Sequence, residues 1–291
     1  MTHIGQSAGR VQVNIPGRGG PGVVLAWGAA TDIGRRRKLN EDSLLAVPPF
    51  FVVADGMGGH ASGDVASSAV VTRLSQTGSG DFAEVDSIVG ALRAATADIT
   101  LAADDHELGV GTTATGAVLV LAENVPRWAV FNIGDSRVYE FDGETLERVT
   151  VDHSVVQELV DAGLLRPEEA EAHPDSNIIT RAVGFNAEPI ADVWLIPVRR
   201  GNRLLICSDG LTREVSDERL RDFLAEGLDA EETAATLIAA ALAGGGRDNV
   251  TTVVVDVLDA PGENDPATPD DGVSSDAKVS TDTAEIDPVV P

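Results

Sequence analysis

The chain has one cysteine, Cys207, five histidines, and 21 basic residues against 47 acidic ones. A lone cysteine excludes an internal disulfide and a thiolate zinc cluster, and it suits a reducing compartment. The formal net charge of −26 excludes a typical nucleic-acid or anionic-membrane binder, because the field of the whole molecule repels either surface. Long apolar runs are also missing. The longest nearly apolar stretch, Ala234 to Ala243, falls well short of the roughly 20 residues a bilayer demands. No apolar segment follows the N-terminal charges, so no secretion signal is read and a cytoplasmic protein without a membrane span is expected. Core material is ample: 43% of the 291 residues are hydrophobic.

Residues 1–22 are polar and glycine-rich, with Pro16-Gly17 and Pro21-Gly22 breaking any regular element, and are expected to form a flexible N-terminal arm. Residues 23–258 are read as one domain. Residues 259–291 carry nine acids and one lysine among Pro, Ser and Thr, which leaves −18 on the rest of the chain. With little apolar surface to offset the entropy of ordering, this tail is expected to be disordered.

Within the domain, Phe50 to Ala54 is an unbroken apolar run that reads as a buried strand, and it ends in Asp55-Gly56. Ser43 to Val47 reads as its partner across Pro48-Pro49. Helical spacing of Ala66, Ala69, Val70 and Leu74, and then of Ile88, Leu92, Ala95 and Ile99, predicts two helices covering one sheet. Gly111 to Leu121 and Arg127 to Phe141 are strand-like, with Gly134-Asp135-Ser136-Arg137 read as a β-bulge in the second. Asp142-Gly143 reads as a tight turn. Val151 to Pro189 has few large apolar residues and is read as a mobile cover. Strands at 191–198 and 203–207, helices at 217–225 and 230–243, and a last strand at 249–258 complete the pattern.

Strand, acid and glycine recur: Leu204 to Cys207 runs into Ser208-Asp209-Gly210, and Asp248 opens the apolar segment from Val250. A buried aspartate is costly unless a cation or a ring of N–H groups meets it. Glu41, Asp42, Asp55, Asp209 and Asp248 gathered together would repel one another, so their convergence demands divalent cations. Oxygen donors without suitably spaced cysteine or histidine point to Mg²⁺ or Mn²⁺. Two such ions can activate a bridging water, and an arginine of the Arg35 to Arg37 cluster can hold phosphate oxygens, which together describe hydrolysis of a phosphate ester.

The strings GRRRKLNED, FVVADGMGGH, GTTATG, NIGDSRVY, DHSVVQEL, IITRAVG, LICSDGL and GRDNVTTVVV occur in the order and at about the spacing of the PP2C (PPM) metal-dependent protein serine/threonine phosphatases, and residues 23–258 resemble that family. The resemblance implies an α+β fold, a four-layer α-β-β-α sandwich of two antiparallel sheets flanked by helices, with a dinuclear Mn²⁺ or Mg²⁺ centre at one end. It implies that Asp55 bridges both ions, that the Gly56 carbonyl ligates the second, and that Asp209 and Asp248 complete the first. Glu41 and Asp42 would act mostly through metal-bound waters. Arg37 would grip the phosphoryl group, and Asp135 with Asp209 would form a weaker third-metal site. Its partners would be phosphoserine and phosphothreonine proteins made by a cytoplasmic kinase, and the enzyme would be a monomer. Met57 stands where animal members carry a histidine thought to be the general acid. Leaving-group protonation would then fall to metal-bound water, with His60 dispensable.

Two other readings compete. Cys207 to Arg213 satisfies the Cys-x5-Arg spacing of cysteine-dependent phosphatases, yet Asp209 inside such a loop would repel the phosphate dianion. A catalytically silent interaction module of the same fold is the other, and it is set against the presence of every residue the chemistry requires. His153 and His173 are expected in local hydrogen bonds, and Trp27, Trp128 and Trp194 in the core.

Overall fold

The structure is a computed structural model that describes residues 1–17, 22–58, 62–78, 80–102, 109–170, 172–185 and 188–261. Thirteen strands form two sheets among these residues. The first sheet runs β1 (His3–Gly5), β4 (Asp42–Val47), β5 (Phe50–Met57), β7 (Ala114–Ala122), β8 (Val125–Ile133), β11 (Asp192–Pro197), with β6 (Gly111–Thr112) paired to β5. The second runs β10 (Leu146–Arg148), β9 (Arg137–Phe141), β12 (Arg203–Cys207), β13 (Val250–Asp259), β3 (Val23–Asp32), β2 (Ala8–Val13). Helices α1 (Ser62–Thr77) and α2 (Val85–Ala102) cover the first sheet. Helices α4 (Asp209–Thr212), α5 (Asp217–Ala225) and α6 (Ala230–Gly244) cover the second, and α3 (Val155–Asp161) belongs to the cover segment. This is the expected four-layer sandwich.

Period-two alternation of apolar side chains explains the layering, since a strand buried on both faces must be apolar throughout. On β5, Phe50, Val52 and Ala54 face α1 and α2, while Phe51 and Val53 face the other sheet. On β12, Leu204 and Ile206 face the first sheet, and Leu205 and Cys207 face α4 to α6. The middle layer is keyed by Trp27, Phe51 and Trp128, packed edge to face with centroids 5.5 and 5.9 Å apart. Trp194 packs against the same layer.

Three expectations need correction. Part of the expected N-terminal arm is regular structure. β1 adds a parallel strand to β4 in an otherwise antiparallel sheet, and β2 pairs with β3. Local propensity is weak there, and pairing to an existing sheet edge supplies the backbone hydrogen bonds that the sequence does not advertise. Gly134-Asp135-Ser136 is not a bulge within one strand, because β8 belongs to the first sheet and β9 to the second. The tripeptide is the crossover between them, with Gly134 at φ +109. Finally, β13 extends through Asp259, one residue into the expected tail. Beyond residue 261 the tail lies outside the described residues, as does His60.

Candidate active site

The four corners of the site are strand ends that meet at one end of the sandwich. In register, Asp42 of β4 stands directly opposite Asp55 of β5. Asp209 leaves the end of β12 as the first residue of α4, and Asp248 and Asn249 lead into β13, antiparallel to β12. The β8–β9 crossover brings Asp135. Asp55 and Asp209 come close enough to act on each other's titration. Glu41, Asp55, Gly56, Asp135, Asp209, Asp248 and Arg37 all line one cleft of about 410 Å³. The sequence-predicted residues are therefore brought together, with Asp42 as the partial exception.

Asp42 is fully buried and is not among the residues lining the cleft. Its Oδ2 accepts from Ser208 Oγ at 3.0 Å and Thr251 Oγ1 at 2.6 Å, so the carboxylate ties the first sheet to the second beneath the cleft. Thr251 Oγ1 is also 2.8 Å from Thr31 Oγ1, which accepts from Asn40 Nδ2. Asn249 fixes the loop before β4: its Oδ1 accepts from the Glu41 N–H, and its Nδ2 donates to the carbonyls of Ile33 and Leu39. Ser208, Thr251 and Asn249 escape sequence reasoning because hydroxyl and amide side chains in strand-like runs give no signal of their own. Asn249 alone had a cue, its place beside Asp248.

Gly56 and Gly63 allow the backbones of β5 and α1 to meet. A Cβ on Gly56 would lie 2.1 Å from the Gly63 carbonyl oxygen and 2.6 Å from that of Glu41. The Gly63 N–H, in the first turn of α1, donates to the Glu41 carboxylate. Thr113 Oγ1 accepts from the Asp55 N–H, and the Asp55 carbonyl accepts from Thr112 Oγ1 and the Thr113 N–H. Asp55, near the end of β5, which runs on to Met57, is thus held by its backbone, and its side chain lines the cleft.

Crowding sets the electrostatics. Burial, then the neighbouring acids Asp42, Asp209, Asp135 and Asp248, push the Asp55 carboxyl well above the usual range. Burial lifts Asp42 to about 7 against the hydroxyl hydrogen bonds, and lifts Asp135 to about 7 with Asp209 adding to it. Burial also raises Glu41 and Asp209. Two arginines answer this charge. Arg37 Nη2 donates to Asp248 Oδ2 at 2.6 Å. Arg213, which sequence reasoning met only as the end of a Cys-x5-Arg spacing, pairs with Asp209 and lies 3.6 Å from Asp135 and 3.8 Å from Asp248.

Whether these residues suit divalent ions turns on their free oxygens. Asp42 Oδ1 and Asp209 Oδ1 are buried without a hydrogen-bond partner, which is costly unless a cation completes them. The donors are all oxygen, the set that hard cations prefer. Among the described residues, no three His, Cys, Asp or Glu side chains yet close on one ion-sized point, and the cation standing between the carboxylates is Arg213. The donor set fits, with its arms presently shared between acids and guanidinium groups.

A cysteine nucleophile is ruled out by geometry. Cys207 is fully buried on the face of β12 that packs against α4 to α6, and burial pushes its thiol up to about 12. The cover segment reaches the site through Asn177 and Ile179, which line the smaller cleft. It also walls a second compartment of about 980 Å³ with Val156, Gln157, Val160 and Pro167. His153 anchors the cover's start. Its N–H donates to the Gly134 carbonyl, its Nδ1 accepts from the Gly134 N–H, and Nε2 meets Asp192 at 3.1 Å. His173 Nδ1 accepts from the Asp175 N–H, so both histidines make the local bonds expected of them.

Known proteins resemble most of this chain. A family profile described as Protein phosphatase 2C matches residues 35–245. The serine/threonine protein phosphatase PstP of Mycobacterium tuberculosis is 42% identical over 243 residues, which cover 81% of this chain and 46% of that protein. This chain thus spans just under half the length of that relative. The protein phosphatase PhpP of Streptococcus pneumoniae is 36% identical over 236 residues, covering 77% of this chain and 94% of that one. Among solved structures, the catalytic domain of PstP in complex with two manganese ions superposes with a TM-score of 0.70 at 38% identity, covering 81% of this chain and all of that one. With the profile matching more than half of the chain and a relative 36% identical over most of both chains, the chain belongs to the protein phosphatase 2C family.

Proposed function

We propose that the protein hydrolyses phosphoserine and phosphothreonine in other proteins, using two bound Mn²⁺ or Mg²⁺ ions. The observation that carries the reading is the convergence of Asp55, Asp209, Asp248 and Asp135 with Arg37 on one cleft, in a chain of this family. Asp55 would hold both ions, with the Gly56 carbonyl, Asp209 and Asp248 completing their protein ligands, and Glu41 and Asp42 acting through waters. Asp135 with Asp209 would take a weaker third. When bound, such ions supply a water of lowered pKa as nucleophile and neutralise the acids.

The chain's own residues do the rest. Arg37 is half exposed at the cleft rim, where its guanidinium can leave Asp248 and take two phosphoryl oxygens bidentately. Its hydrogen bond to Asp248 ties the guanidinium to the acidic cluster and raises its pKa further. Met57 lines the cleft and has no proton to give, so a leaving serine or threonine oxygen finds no acid in that side chain. Asn177 and Ile179 of the cover segment line the same cleft. The proposed setting is the cytoplasm, opposite a serine/threonine kinase, with the protein acting as a monomer.

The test is hydrolysis of a phosphothreonine peptide and p-nitrophenyl phosphate with Mn²⁺, with Mg²⁺ and in EDTA, beside a folded Asp209→Asn variant. Turnover that needs the ion and is lost in the variant is expected. Inactivity of the wild-type protein with Mn²⁺ would favour a binding module.

A further inference from the structure

Arg213 reaches the acidic cluster from the C-cap of α4, four positions after Asp209 and so about one turn along. It pairs with Asp209 while standing within 4 Å of Asp135 and Asp248. Its side chain is 34% exposed, whereas those of Asp135 and Asp209 are each 12% exposed. It lines both the 410 Å³ cleft and the 980 Å³ compartment beside it, so its guanidinium has room to swing from one to the other. Asp209 meanwhile keeps its second oxygen, Oδ1, buried and unpartnered.

Resting on the phosphatase reading, we propose that Arg213 is a built-in competitor for the divalent ion at the Asp135–Asp209 corner. A guanidinium and a divalent ion cannot share these carboxylates at such distances. Their repulsion at the effective dielectric of a protein surface amounts to powers of ten in a binding constant. Withdrawal of Arg213 into the larger compartment relieves most of it, which leaves a net weakening on the order of tenfold or more. The corner then fills only when the ion concentration is high enough to drive the arginine out, and at lower concentrations the guanidinium serves in the ion's place. Of the two main ions, the one held through Asp209 and Asp248 shares carboxylates with Arg213 and feels part of the same competition, while the one held through Asp55 and the Gly56 carbonyl is affected less.

Mn²⁺ binding to the full chain, followed by the loss of the free-ion electron paramagnetic resonance signal, tests this. Arg213→Gln is expected to bind its weakest ion about tenfold more tightly than wild type, or to gain an ion. Arg213→Lys, which keeps the charge, should stay near wild type, and Arg213→Gln with Asp135→Asn should lose the gain. Arg213→Met keeps the volume of the stem and gives the same reading should Arg213→Gln not fold. Thermal unfolding provides a second readout. Removal of Arg213 should lower the melting temperature in EDTA but not in excess Mn²⁺, whereas a merely structural arginine would lower both. Equal number and strength of sites in wild type and Arg213→Gln would overturn the proposal alone. Failure of every variant and of wild type to bind Mn²⁺ would overturn the phosphatase reading with it.

Discussion

With divalent cations chelated, the protein should lose stability as pH rises from 5 to 8. Asp42 and Asp135 titrate near 7 in the folded chain, raised from 3.8 chiefly by burial. A carboxyl whose pKa is raised on folding binds its proton more tightly when folded, so its contribution is complete below pH 4 and is lost as pH climbs through 7. At about 1.4 kcal/mol per unit, each group forfeits about 3 kcal/mol between pH 5 and 8. Both are lifted in part by Asp209, so the two losses do not add in full, and a combined loss of about 4 kcal/mol is expected. For a domain of this size that is a fall in Tm of about 10 °C. Carboxylates with lowered values, such as Asp98 and Glu214, act in the opposite sense only below about pH 4.5, outside the window. The assay is calorimetric or circular-dichroism melting in EDTA across pH 5 to 8, repeated in excess Mn²⁺, where bound ions favour the ionised ligands and the slope should reverse. A Tm in EDTA that is flat or rises over this range would refute the reasoning.

Gly56→Ala drives a methyl group against the Gly63 and Glu41 carbonyls, so we expect a loss of about 1–3 kcal/mol in urea unfolding and at least a hundredfold fall in kcat. Arg203→Met strands Asp256 and the carbonyls of Leu224 and Leu228 at the far end of β12. Stability should drop by about 3–5 kcal/mol with kcat/KM nearly unchanged. Cys207→Ser should turn over as wild type while losing about 1–2 kcal/mol for a buried hydroxyl, and the native thiol should resist iodoacetamide.

The parts of the fold legible in the sequence are those where one period dominates. Phe50 to Ala54 had to be a strand buried on both faces, and Asp55 had to stand at its end. Ile88, Leu92, Ala95 and Ile99 had to be one face of a helix, and all four are buried on α2. The illegible parts depend on partners far along the chain. Ala8 to Val13 is half exposed and only loosely alternating, and it becomes a strand because β3 offers an edge. The sheet change at Gly134 cannot be seen locally, since the residues on both sides of it read as strand and only pairing with distant strands assigns them to different sheets. The convergence of Asp55, Asp209 and Asp248 was readable from the recurring strand-acid device. Asp42's hydroxyl partners and Arg213's place among the acids were not, because each is defined by contacts between residues distant in sequence or by a turn of helix that follows a strand end.

The fold gathers acids that require divalent cations to hold them ionised together. Isothermal titration of Mn²⁺ into the metal-free protein at pH 6.5, in buffers of different ionisation enthalpy, measures both the ions taken up and the protons released. We predict at least two bound ions with net proton release, and loss of the tightest site in Asp55→Asn. Binding without release of protons, or equal binding by wild type and Asp55→Asn, would contradict it.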